Sequence, residues 1–164
     1  MMVMLQEMVR RTRQHHAIEH ATLHVLTARH PGQRFSGYSD PLGFIITGAP
    51  DEYTVRRAVG DALLRLQAGE HSLALHPNCG TNLVTSAVLV ALVALILGGK
   101  RKPFERFVTM LIGVLPVLLF SKSVGMYFQG YTTLAEVGDR WVADIQPIAL
   151  GGLRAHRVLF EGDL

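Results

Sequence analysis

Half of the chain's eight histidines fall within ten residues, in the stretch HHAIEHATLH at 15–24. Its centre, His16-Ala17-Ile18-Glu19-His20, carries two imidazoles four residues apart and a carboxylate between them. Residues four apart on a helix stand one above the other, so His16 and His20 can reach a common cation. Neutral imidazole suits zinc, which takes a compact tetrahedral shell and brings a bound water's pKa towards about 7. Glu19 lies on the same face beside His20, in the order of the inverted zinc-peptidase motif, and is the candidate general base. As alternatives, the same carboxylate would act as a ligand or fix a histidine tautomer.

Two histidines do not close such a shell. His24 lies one turn beyond His20 but turns away from the stripe, and three ligands in line along one straight helix suit a tetrahedron poorly. The loop HPNCGTN (76–82) is the better source, offering His76 and Cys79 in one polar segment. Cys79 also precedes an apolar helix whose unpaired amides would favour a thiolate. His156 is a further, weaker candidate. Simpler roles exist for each: His76 capping a turn, and Cys79 packing as a small hydrophobe. Set against them, buried polar groups without partners cost several kcal/mol, so an acid and two imidazoles on an apolar stripe need a reason. His15 and His24 read as partly exposed, with no assigned task. With a single cysteine, an internal disulfide is excluded.

The first thirty residues must position this motif, and they read as one helix stopped at His30-Pro31-Gly32. Its inward stripe is Leu5, Met8, Val9, Thr12, His16, Glu19, His20, Leu23 and Leu26, with Arg10, Arg11 and Arg13 turned away. Residues 35–48 read as a hairpin turning at Ser39-Asp40-Pro41. Asp51 caps a helix to about Gln67, ended by Gly69. SLALH (72–76) is expected to be a short strand, and residues 140–162 two strands around Gly151-Gly152.

Only 18% of the 164 residues are charged and the mean hydropathy is +0.25, which points towards lipid. Residues 83–99 hold no charge, and 104–128 are mostly apolar, each close to the length of a membrane span. Lys100, Arg101 and Lys102 lie between them and Arg106 near the start of the second, as membrane flanks do. The net charge of +3 therefore belongs to a membrane flank; no aromatic-basic motif points to nucleic acid, and no nucleic-acid partner is expected. Two buried helices of a soluble fold are the alternative. The fold class that follows is α+β: a small discontinuous polar domain, residues 1–82 and 131–164, with a two-helix transmembrane hairpin inserted at 83–130.

HHAIEHATLH, followed by HPNCGTN and paired apolar helices, resembles an uncharacterised bacterial membrane family of the YqhQ-like type. That resemblance rests on His16, Glu19 and His20 in the first motif and on His76, Pro77, Cys79, Gly80 and Thr81 in the second. It implies a predicted metal-dependent enzyme and imports no substrate.

The expected function is a membrane-anchored zinc hydrolase, a peptidase among the options. His16 and His20 bind Zn2+, His76 or Cys79 completes the shell, and Glu19 activates water. A non-catalytic metal-binding membrane module (assembly factor, sensor or transporter accessory) is the alternative, and metal-free cysteine chemistry at Cys79 a third. The lipid bilayer is the expected partner, with a homo-oligomer as an option. The N-terminus shows no cleavable signal pattern. By the positive-inside rule the basic turn is cytoplasmic and both termini outside. The arginine-rich start and free thiol instead favour a reducing interior, and the polar part is expected on the cytoplasmic side of the cell membrane.

Overall fold

The computed structural model describes residues 2–99 and 102–161. Lys100 and Arg101 of the basic turn lie outside the described residues. The chain divides into two compact units, one made of Met1–His76 with Thr132–Leu164 and the other of Pro77–Tyr131.

The first unit is α+β. Its elements are α1 (Met2–Arg29), β1 (Ser36–Asp40), β2 (Gly43–Thr47), α2 (Glu52–Gln67), a 3-10 turn (His71–Ala74), β3 (Val142–Leu150) and β4 (Leu153–Phe160). The strands form one antiparallel sheet in the order β1-β2-β4-β3. Alternation of period two sends Phe44, Ile46, Val158 and Phe160 to one face. There they pack with Ile18 and Leu26 of α1 and Val55, Val59 and Leu66 of α2. Pro147, which lacks an amide hydrogen, is tolerated because β3 is an edge strand. Asp51 caps α2 by accepting from the Thr54 amide at 2.7 Å.

Two expectations for this unit need correcting. SLALH is not a strand: Leu73 N–H bonds Glu70 O at 3.1 Å and Leu75 N–H bonds Ser72 O at 3.2 Å, the i→i+3 pattern of a 3-10 turn. The turn leaves the Ala74 and Leu75 carbonyls available to side chains of α1. The inward stripe of α1 is also shorter than its periodicity suggests, since Leu5, Met8 and Val9 are exposed. A helix of 28 residues runs about 42 Å, whereas five-residue strands reach only about 17 Å. The first turns therefore project beyond the sheet. Gln14 begins the buried part, with its Nε2 donating to Glu136 O at 2.7 Å and to Asp139 at 2.8 Å.

The second unit holds α3 (Gly80–Leu97) and α4 (Pro103–Thr132). They run antiparallel: Gly113 of α4 faces Val93 and Leu97, and Gly125 faces Asn82. Gln129 Nε2 donates to Asn82 Oδ1 at 2.8 Å, and Asn82 Nδ2 donates to Pro77 O at 2.8 Å. At 18 and 30 residues, both helices are long and apolar enough to cross a membrane. Their surfaces are greasy, with Leu95, Ile96 and Leu119 each more than 70% exposed.

Candidate metal centre

His16 and His20 stand on one face of α1, with ring centroids 4.3 Å apart. His16 Nδ1 lies 3.1 Å from Thr132 O, and His20 Nδ1 lies 2.6 Å from Ala74 O. A carbonyl only accepts, so in each ring Nδ1 carries the proton and donates. In the neutral imidazole the lone pair then resides on Nε2, the arrangement in which metal-binding histidines are held by their surroundings. One potential ligand atom of each ring lies within 4.8 Å of the other's. His20 is 1% exposed, and its Nε2 is buried without a hydrogen-bond partner. A buried acceptor left in that state costs free energy that a cation would recover.

His76 extends the row. Its ring centroid lies 5.7 Å from that of His20 and 4.9 Å from that of His24. Burial, reinforced by His24 and His20, pushes the His76 pKa down to about 4. The ring is thus neutral at physiological pH, as a metal ligand must be. His24 Nε2 donates to Leu75 O at 2.8 Å. The turn carrying Ala74 and Leu75 therefore orients two histidines of α1 and brings a third beside them. The His24–His76 contact lies outside the stripe that helical winding predicts. The regular spacing of 16, 20 and 24 was the available signal.

Cys79 caps α3, where its buried Sγ accepts from the Thr81 amide at 3.4 Å. Glu19 reaches the first strand of the sheet. Its carboxylate accepts a hydrogen bond from Ser39 Oγ and packs against the backbone of Gly37 on β1. At 4% exposure it has little room to swing away. Neither Ser39 nor Gly37 was singled out from sequence, since nothing local marks them as neighbours of α1.

His15 is not partly exposed but fully buried. Its ring stacks on Phe160 at 4.7 Å, and its Nδ1 donates to Asp40 O at 2.9 Å. Register explains this: Asp40 ends β1 beside α1, and it is held there by two 2.7 Å bonds from Arg157. His156 lies on β4 in register with Ile46 and Pro147, and it joins no ligand group among the described residues.

Fold and site together define an α+β domain with a row of histidines on its first helix, accompanied by two apolar helices of membrane-spanning length. Residues 11–145 match the family described as Domain of unknown function (DUF6391), and the chain belongs to that family. The matched span contains both histidine motifs and both apolar helices. The chain is also 34% identical over 137 residues to "Uncharacterized protein SYNPCC7002_A1392" of Picosynechococcus sp. (strain ATCC 27264 / PCC 7002 / PR-6), covering 75% of this chain. It spans 65% of that relative's length. No solved structure matches. Neither match bears on the resemblance to the YqhQ-like group.

Proposed function

We propose that this chain is a membrane-anchored, zinc-dependent hydrolase, a peptidase being one form of it. The observation that carries the reading is the pair of imidazoles held through Nδ1 by main-chain carbonyls, with the buried Nε2 of His20 lacking any partner. Such residues fit zinc: neutral nitrogen donors at i and i+4, a neutral His76 beside them, and a thiol three residues further along the chain. His16 and His20 would hold the metal, and His76 or Cys79 would supply the third ligand. Bound zinc contributes a Lewis acid that acidifies water towards about pKa 7. With a metal held there, Glu19 would serve as the base that accepts a proton from water, its carboxylate held by Ser39. Helices α3 and α4 anchor the domain in the bilayer of the cell, their exposed leucines and isoleucines facing lipid. The polar domain faces the cytoplasm.

A specific observation favours a second reading. Glu19 is tied to Ser39 and packed on Gly37, which suits a carboxylate with a structural task. If His16, His20, His76 and Cys79 all ligate, the shell is closed and the protein is a non-catalytic metal-binding module. Glu19→Gln separates the two. The hydrolase reading predicts that the variant keeps about one equivalent of zinc and loses turnover of a casein or peptide-library substrate. Full turnover in that variant refutes Glu19 as the base.

A further inference from the structure

A concavity lies at one end of the two central strands, where β2 leaves for α2 and β4 begins. Its volume is about 440 Å³, and Arg34, Thr47, Gly48, Pro50 and Arg154 contribute to its lining. That is within the size range of small-molecule sites. Two of its lining side chains are guanidinium groups and none is acidic.

Neither of these two arginines is used in an ion pair among the described residues. Arg10, Arg29, Arg56, Arg65 and Arg157 each meet a carboxylate. Among the described residues, the Arg34 and Arg154 side chains meet none and have no hydrogen-bond partner. The nearest acid in sequence, Asp51, is bound to the Thr54 amide at the start of α2. The hydroxyls of Ser36 and Thr47 satisfy each other at 2.6 Å. Among the described residues, no acidic side chain lines the concavity or pairs with either guanidinium.

The floor is also built tightly. Gly48 has φ +89°, and a Cβ there would lie 2.2 Å from Arg34 O. Only glycine permits the Arg34 main chain to sit so close, which fixes the root of that side chain. Thr47 is in register with Ala155, so Arg154 begins beside the same floor. Two residues on, on the same face of β4, His156 is 4% exposed and its Nδ1 has no partner.

We infer that this concavity binds a phosphoryl group, with Arg34 and Arg154 as its two forks. A carboxylate has one charge and is satisfied by one guanidinium. A tetrahedral dianion matches two, each able to donate a pair of parallel N–H bonds. Such a group could arrive on a soluble phosphate compound or on a phosphomonoester lipid headgroup, and the chemistry of recognition is the same. This inference stands independently of the metal.

Isothermal titration of the full chain in neutral detergent tests it, with inorganic phosphate and with dioctanoyl phosphatidic acid as probes. Saturable phosphate binding, weakened at least about tenfold in Arg34→Gln/Arg154→Gln, is expected for a soluble ligand, since two charge-assisted contacts are lost. Binding of phosphatidic acid alone, with the same loss, supports the site and assigns it to a lipid. Arg34→Lys/Arg154→Lys should be intermediate, keeping charge and losing the forks. If the double variant does not fold, each single Gln variant provides the comparison. Binding of neither probe, or unchanged binding in the Gln variants, overturns the inference.

Discussion

Replacing Gly37 by alanine tests whether Glu19 is built into the sheet. The new Cβ would lie 2.4 Å from Glu19 Oε1, 2.6 Å from Cδ and 2.7 Å from Cγ. Contacts below 3 Å with three successive atoms cannot be relieved by turning the carboxylate alone, and Glu19 is buried. Overpacking of this kind costs about 1–3 kcal/mol, and the Ser39 hydrogen bond is disturbed as well. Urea denaturation of the solubilised protein should therefore show Gly37→Ala less stable by about 2 kcal/mol. In a Glu19→Ala background all three contacting atoms are gone, and the same substitution should be nearly neutral. The coupling between the two sites is then expected at about 1–3 kcal/mol, within the range for residues in direct contact. A Gly37→Ala penalty of equal size in both backgrounds would refute the placement of Glu19 against β1.

The depressed pKa of His76 has a defined sign. The unfolded chain takes up a proton near 6.5, whereas the fold resists it until about pH 4. Metal-free protein should thus lose stability as pH falls through that window, and His76→Gln should lose less in a pH series of thermal melts. Asp40 experiences burial, which raises its pKa, but bonds from Arg157 and the Leu42 amide hold it below the usual carboxylate range. Its stabilisation is present above pH 4 and lost in stronger acid; Arg157→Ala should cost about 1–3 kcal/mol, measured by denaturant titration, by leaving a half-buried charge unpaired. Asp51→Ala should cost about 1 kcal/mol by removing the α2 cap, with Asp51→Asn close to wild type.

Local patterns carried most of the fold: proline and glycine stops, a capping aspartate, alternating apolar residues, and charge-free runs. What they could not carry was the outcome of tertiary competition. SLALH has strand composition, yet its carbonyls are used by His20 and His24. Helical periodicity ran the α1 stripe to Leu5, but burial follows the sheet beneath the helix, which ends short of those turns. At the site, i, i+4 spacing placed His16 and His20 together. Ser39 and Gly37 were invisible because their contact with Glu19 depends on how β1 crosses α1. His15 looked exposed for the same reason, its partners Asp40 and Phe160 being distant in sequence.

The central claim is that the imidazoles of α1 hold a zinc ion. X-ray absorption at the zinc edge, on full-length protein purified without added metal or chelator, tests it most directly. The account predicts about one zinc per chain, with nitrogen scatterers at roughly 2.0–2.1 Å and a sulfur at roughly 2.3 Å if Cys79 ligates. His16→Ala and His20→Ala should each abolish the signal. Protein that is folded, metal-free and indifferent to both substitutions would contradict the account.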